Sequence, residues 1–332
     1  LNKKNGKSNL AHFEKKTGKS GEMRGLGHSW GSMGVRSSFY DDLRDNGGQA
    51  ASFLMARHDL FDFRLNYRLH RKIVVIDGHI GYIGGFNVGD QYLGRAKKFG
   101  NWRDTHLRVD GSFCYSMQER FIHDWNASVH NRNNKIRKYK PYFPPIKNKS
   151  GVPMQLVCSG PDDRLEKIKL GYMRMFNAAQ DHIYIQSPYL IPDDSVLQTL
   201  KIAAHSGVDV RIMVPCMPDH PFVYRATQYY ARDLADDGIT IYFYNNGFMH
   251  AKTVCVDTKM ASVGSANQDI RSYKLDFEAQ SFIYDEEETD RLERIFIEDI
   301  RQCTVMTPQR FAAQPKWLHF KQTFSRLLSP LL

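Results

Sequence analysis

Cysteine is scarce in this sequence: five residues, Cys114, Cys158, Cys216, Cys255 and Cys303, an odd number with no close pair. That spacing fits neither a disulfide framework nor a zinc site, and it points to a reducing, cytoplasmic-side location. Long apolar runs are also missing. No stretch approaches the roughly 18 uninterrupted apolar residues that a spanning helix needs, and the opening LNKKNGKSNL has no apolar signal-peptide core. Acidic residues are outnumbered, 36 against 46 Lys and Arg. The resulting net charge of +10 predicts attraction to something anionic, either a nucleic acid or a membrane surface rich in acidic lipid. Sign alone does not choose between them. What is present is ordinary globular material, 42% hydrophobic over 332 residues, enough for one large core or two domains.

Acidic side chains vanish altogether from 131–150, NRNNKIRKYKPYFPPIKNKS, which carries seven basic residues and three prolines. It reads as a connector, either solvated or meeting an anionic surface. The chain therefore divides into 1–130, a basic linker at 131–151, and 152–332. In the last part HIYIQSPYL (182–190), DVRIMVP (209–215), ITIYFYN (239–245) and HAKTVCVD (250–257) are strand-like. Between the first two, Asp193, Asp194 and Ser195 offer N-caps to a helix with Val196, Leu197, Leu200 and Ala204 on one face, and Gly207 ends it. A second helix closes at Gly238. This order predicts an α/β fold whose sheets are mixed, largely parallel and flanked by helices. The first part repeats the plan, with SSFYDDLRDNGG standing where QYYARDLADDG stands later. Its beginning does not: residues 20–30, SGEMRGLGHSW, lack an apolar strand, so one outer strand of the first unit is expected to be missing or altered.

The repeat is sharpest at HRKIVVID (70–77) and HAKTVCVD (250–257). His70, Lys72, Val74, Asp77, Gly84 and Asn87 correspond in order to His250, Lys252, Val254, Asp257, Gly264 and Asn267, six identities in eighteen positions. Each match has about a one-in-twenty chance on average composition, so duplication is the better account. Residues two apart on a strand share a face, so each His gains a cationic neighbour. Asp77 and Asp257, at an odd offset, turn away or sit beyond the strand end as structural partners. Gly84, Gly85 and Gly264 permit a close approach of chain to ligand or to the other half.

If the halves pack about a pseudo-two-fold axis, both His-Lys pairs converge on one site suited to phosphoryl chemistry. Two lysines and two asparagines would bind the non-bridging oxygens of a phosphodiester. One neutral imidazole would attack phosphorus, and the other, protonated, would release its proton to the leaving oxygen. No metal or other cofactor is required, and no carboxylate cluster able to hold Mg²⁺ stands near either motif. Asp104 in NWRDTHLRVDG and Glu278 in YKLDFEAQ are the acceptors available to orient the far nitrogens of the two rings; plain ion pairing with neighbours such as Arg103 is the other reading of such acids.

These residues make up the H-x-K-x4-D pattern with a G-G/S-x-N extension, and the chain resembles the phospholipase D superfamily. Within it, RLNYRLHRKIVVIDGHIGYIGGFNVGDQYLG, WRDTHLRVDG, SPYLIPDD, GSANQDIRS and FSRLLSPLL are similar to the bacterial cardiolipin synthases, from about Gly31 to Leu332. The resemblance implies two phospholipase D-like repeats packed around one shared active site. It also implies a phosphatidyltransferase that joins two phosphatidylglycerol molecules into cardiolipin and releases glycerol through a phosphohistidine intermediate. On that basis His70 and His250 are nucleophile and general acid, Lys72, Lys252, Asn87 and Asn267 hold the phosphate, and Asp77 and Asp257 complete the catalytic motif. The partners implied are phosphatidylglycerol and the cytoplasmic side of the cell membrane. The superfamily members concerned begin with two membrane-spanning helices and a first strand; neither is recognisable here, so the chain is expected to be a truncated or altered form.

Two rival functions remain open: a phosphodiesterase or nuclease of the same superfamily, and an inactive protein that only binds anionic lipid. A nucleic acid is disfavoured because no aromatic-rich basic stacking platform is evident. Near the end, Trp317, Phe320, Phe324, Leu327 and Leu328 fall at helical spacing with Lys316, Lys321 and Arg326 around them. An interfacial amphipathic helix and a helix packed on the core both account for that stripe.

Overall fold

The computed structural model describes residues 22–28, 40–53, 66–146 and 151–329; the opening segment, 29–39, 54–65 and the 147–150 end of the basic stretch lie outside them. In the first repeat, β1 (Arg24–His28), α1 (Asp41–Asp45) and β2 (Gln49–Phe53) form a parallel pair with its helix. Next, β3 (Ile73–Ile76) and β4 (Ile80–Gly84) make a hairpin, the two-residue β5 (Trp102–Arg103) departs from it, and β6 (His106–Asp110) returns antiparallel to β4. Helix α2 (Phe113–Ser128) covers this sheet with Cys114, Met117 and Ile122 buried.

The second repeat runs β7 (Met154–Ser159), α3 (Lys167–Ala178), β8 (His182–Gln186), β9 (Leu190–Ile191), α4 (Asp194–His205), β10 (Asp209–Pro215), α5 (Pro221–Asp236), β11 (Thr240–Tyr244), β12 (Phe248–Met249), β13 (Thr253–Val256), β14 (Met260–Gly264), β15 (Gln268–Asp269), α6 (Ile270–Lys274), β16 (Glu278–Ile283), α7 (Glu286–Ile300), β17 (Cys303–Met306), α8 (Pro308–Ala312) and α9 (Lys316–Leu327). Its sheet has eight strands in the order β17-β11-β10-β8-β13-β14-β16-β7. The expected capping is present: Asp193 accepts from the Val196 amide at 3.1 Å, Val196 and Leu200 are buried, and Gly207 at φ +94° ends α4. Truncating Leu200 to alanine there would cost about 2–5 kcal/mol.

Two expectations need correcting. The sheets are mixed, but only β8-β10-β11 is parallel in the large one, and its other five pairings are antiparallel. The reason is local: β13 and β14 are joined by a three-residue turn, which only an antiparallel pair can use. Residues 20–30, expected to lack a strand, do carry one, β1 at Arg24–His28. What the first repeat lacks among the described residues is an equivalent of β8, the inner strand that joins β10 to β13. Among the described residues the parallel pair β1-β2 and the sheet β3-β4-β6 are separate.

The basic stretch is docked on α2. Ile136 is buried with Ile122 and Trp125, its amide and carbonyl both bond the Asn126 side chain at 2.8 and 2.9 Å, and Trp125 Nε1 donates to Asn134 O at 2.9 Å. Arg132, Lys135, Arg137 and Lys138 nevertheless stay exposed. Between the repeats lies a shared core in which Ile83, Met117 and Ala279 meet Leu107 and Leu156. Arg71, almost fully buried, clamps it by bonding Asp124 at 2.8 and 2.9 Å and the carbonyls of Glu278 and Ser159.

Candidate active site

Neither His-Lys pair lies in its motif strand. His70 and Lys72 precede β3, and His250 and Lys252 precede β13, in extended segments that cross to the other repeat. Ahead of His250, β12 pairs in parallel with β5, Phe248 with Trp102 and Met249 with Arg103, and the His250 amide donates to Arg103 O at 2.7 Å. Ahead of His70, Leu69 forms a parallel bridge with Phe277, and the His70 amide donates to Phe277 O at 3.0 Å. The residue following each of these partners on the opposite repeat is a carboxylate, Asp104 in one case and Glu278 in the other.

The orienting acids are thereby exchanged. Asp104, from the first repeat, holds His250 (Nδ1 to Oδ2, 2.7 Å), and Glu278, from the second, holds His70 (Nδ1 to Oε1, 2.7 Å). Both carboxylate side chains are fully buried. This reciprocal exchange is what a pseudo-two-fold relation between repeats requires. With Nδ1 committed, each ring has Nε2 left for chemistry. Each lysine folds back so that Nζ donates to the carbonyl of its own His at 2.6 Å, and Lys252 Nζ also lies 3.1 Å from His250 Nδ1.

The two halves differ in how they seat the acid. In the first, Gly85 leaves room for Asp104: a Cβ there would fall 2.1 Å from Oδ1. In the second, the matching position is Ser265, whose hydroxyl donates to Glu278 Oε2, while Ser272 Oγ donates to Oε1 at 3.0 Å. The Thr105 amide bonds Asp104 Oδ1 at 2.8 Å. The G-G versus G-S difference in the motif extension thus carries a structural meaning.

Burial and crowding of positive charge set the protonation pattern. Desolvation and Lys252 push His250 down to about 4 against the pull of Asp104, and desolvation and Lys72 hold His70 well below its ordinary value. Lys72 falls to about 7 and Lys252 to about 8, each through burial, with Lys252 adding to the depression of Lys72. Glu278 is pushed up to about 7 by burial despite the lysines and serines. For Asp104 burial is outweighed by His250, Lys252 and the Thr105 amide, and the carboxyl is held below its usual range. Lys72 and Lys252 act on both imidazoles, so the four groups form one electrostatic cluster.

The asparagines flank it. Asn267 is buried, gives Nδ2 to Asp269 at 3.2 Å and leaves Oδ1 without a partner; Asn87 is exposed and donates to Tyr92 Oη at 2.7 Å. The motif aspartates are not at the site. Asp77 and Asp257 sit in left-handed turns at φ +52° and +54° beyond the strands, and the Asp257 carboxylate accepts the amides of Gln180, Asp181 and His182 at 2.9 Å. Both residues close the turn that follows their motif strand, the structural place expected of them from the sequence.

Several neighbours had no sequence signal. Trp102, Tyr92 and Phe248 enclose the His250 ring at 5.0, 5.8 and 6.2 Å between centroids, leaving its side chain 9% exposed against 26% for His70. Asp276 lies beside His70 and Glu278, with ligand atoms of the three within 4.8 Å of one another. The expectation of no carboxylate cluster near a motif therefore fails at this point. Glu278 is already engaged by His70, Ser265 and Ser272, Asp276 Oδ1 lies 3.2 Å from Arg271 Nε as an ion pair without a hydrogen bond, and Lys72 and Lys252 supply positive charge next to Glu278.

Comparison with known proteins adds the following. Residues 172–300 match the family described as "Cardiolipin synthase, PLD-like domain". The cardiolipin synthase of Listeria innocua is 50% identical over 322 residues, which are 96% of this chain and 66% of that protein. That of Staphylococcus aureus strain Mu50 is 46% identical over 327 residues, 98% and 66% of the two. This chain spans 66% of the length of these curated relatives. The crystal structure of phosphatidylserine synthase from Haemophilus influenzae Rd KW20 aligns with all of this chain and 88% of its own at a TM-score of 0.75 and 14% identity, a likeness of fold.

Proposed function

From the premise that this chain belongs to the cardiolipin synthase family of phospholipase D-like proteins, we propose that it is a phosphatidyltransferase that joins two phosphatidylglycerol molecules into cardiolipin and glycerol. The observation that carries this reading is the crosswise seating of His70 on Glu278 and His250 on Asp104, with Lys72 and Lys252 each acting on both rings. Nε2 of one imidazole attacks phosphorus while the other ring, protonated, gives its proton to the departing glycerol oxygen. The P–N bond formed replaces the P–O bond broken. A hydroxyl of the second phosphatidylglycerol then attacks the phosphohistidine, its proton passing to the imidazole that had acted as acid, and the first His leaves as the free base.

Before substrate arrives both rings are held neutral, which suits the attacking one; the anionic phosphodiester then raises the basicity of its neighbours and allows the other to carry a proton. Lys72, Lys252, Asn87 and Asn267 would donate to the non-bridging oxygens of the bound phosphodiester. A lipid substrate is favoured by the rim: Phe86, Val88 and Leu93 stand exposed on the loop that carries Asn87. No described helix is long and apolar enough to cross a membrane, and the substrates bring the protein to a membrane surface, for which the cytoplasmic side fits the free cysteines.

The test is product analysis without added metal. Phosphatidylglycerol should yield cardiolipin plus glycerol, and His70→Ala and His250→Ala should yield neither. Phosphatidic acid alone would mean that water is the acceptor, and cleavage of DNA in a parallel incubation would mean a nuclease; either overturns the proposal.

A further inference from the structure

Helix α9 is built inside out. Its buried positions are polar, Gln322 and Ser325, and they face α5: Gln322 Nε2 reaches Gln228 Oε1 at 3.4 Å and Gln314 Oε1 at 2.9 Å, and Arg326 lies over the Tyr229 ring at 5.6 Å. A hydrogen bond between Arg232 and His319 ties the same two helices together. Its outward positions are apolar and large: Trp317 is 62% exposed, Phe320 60%, Phe324 50% and Leu327 65%. On a 3.6-residue helical projection these four fall within an arc of about 80°. Water should reject such an arrangement, because each exposed ring forgoes the gain of burial while the face that could have carried apolar contacts spends itself on amides and hydroxyls.

The charges beside this face indicate what covers it. On the same projection Lys316 and Lys321 border the apolar arc on its two sides, Lys321 Nζ lies 5.1 Å from the Trp317 ring, and Trp317 stacks on Phe320 at 5.3 Å. From Phe311 to Leu332 the chain has no Asp or Glu. A second protein copy would need an acidic or apolar complement to both lysines; a lipid surface provides acyl chains under the rings and phosphates beside the lysines at once. We propose that α9 is an interfacial anchor that seats Trp317, Phe320, Phe324 and Leu327 in the headgroup layer of a membrane containing anionic phospholipid, holding the fold through its polar side. This rests on the lipid reading of the active site for its physiological partner, but it concerns a separate surface.

The experiment uses the full chain and sedimentation with vesicles of phosphatidylglycerol and phosphatidylcholine in equal parts. The variant Trp317→Ser/Phe320→Ser/Phe324→Ser/Leu327→Ser is expected to partition at least tenfold more weakly than wild type, and Lys316→Gln/Lys321→Gln to lose affinity for these vesicles but not for pure phosphatidylcholine. Melting temperatures should not fall, since none of the altered side chains is buried. Turnover of monomeric short-chain phosphatidylglycerol should be unchanged, which separates anchoring from catalysis: if wild type proves inactive, the function fails while the vesicle result still decides the anchor. Equal binding by the four-serine variant overturns the proposal, as does a wild-type dimer that this variant splits with no change in vesicle binding.

Discussion

Asp104→Asn distinguishes a crosswise site from a repeat-by-repeat one. The Thr105 amide donates to Oδ1 of Asp104 at 2.8 Å, so an amide at this position would keep its oxygen there and turn its NH2 toward His250 Nδ1, now 2.7 Å from Oδ2. A donor facing Nδ1 forces that nitrogen to accept, and the imidazole proton moves to Nε2, the atom needed for chemistry. The lost charge-assisted hydrogen bond is worth about 1.5–3 kcal/mol, which corresponds to roughly a ten- to 150-fold fall in kcat/KM. Glu278→Gln should behave differently. The Ser265 hydroxyl can rotate to accept from the new NH2 on the Oε2 side while Ser272 keeps donating to the oxygen on the Oε1 side, so the carbonyl can stay on His70 and only the charge is lost. Nitrogen-15 NMR of labelled histidine reads both events: Asp104→Asn should swap the tautomer of His250 and leave His70 alone, and Glu278→Gln should swap neither. A tautomer change at His70 in Asp104→Asn, or none at His250, would refute the reasoning.

Three further outcomes follow from the same geometry. Inorganic phosphate should bind with proton uptake at pH 7, because an anion favours the charged form of Lys72, which burial lowers to about 7, and of the depressed imidazoles; calorimetry in buffers of differing ionisation enthalpy should register on the order of half a proton or more, and no buffer dependence would contradict the charge assignment. Gly85→Ala drives a methyl into Asp104 and should cost about 1–3 kcal/mol of stability together with most of the turnover, whereas Gly25→Ala, with nothing within 4 Å, should leave turnover unchanged. Ser265→Ala strips a hydrogen bond from buried Glu278, so about 1–3 kcal/mol of unfolding free energy should disappear in denaturant titration, and the carboxyl should move further above about 7.

Local chemistry was legible in the sequence. The cap at Asp193, the stop at Gly207 and the buried run DVRIMVP are short-range signals, and the structure follows them. The repeat named both His-Lys pairs and the two orienting acids, but not which acid meets which ring, because that depends on β12 pairing with β5 across the whole chain. It also set the histidines inside strands, when the bonds that hold them are to the opposite repeat. β1 went unread because RGLGH has two glycines and no alternation; its pairing with β2 supplies what its composition does not. Direction in the large sheet was misjudged for a similar reason: strand-helix alternation marks only the β8-β10-β11 part. For α9 the period was correct, yet the same spacing serves a core-facing or a lipid-facing stripe, and only the polar surface of α5 decides between them.

The central claim is that the two rings serve one phosphorus atom. An alkaline quench of the protein with phosphatidylglycerol, followed by digestion and mass measurement of the peptides containing residues 70 and 250, tests it directly. The account predicts a phosphatidyl adduct on one of these two histidines and on no other residue, with its formation or its breakdown lost when the other histidine is alanine. Turnover that proceeds with neither histidine modified, or an adduct that forms and decays normally without the second imidazole, would contradict it.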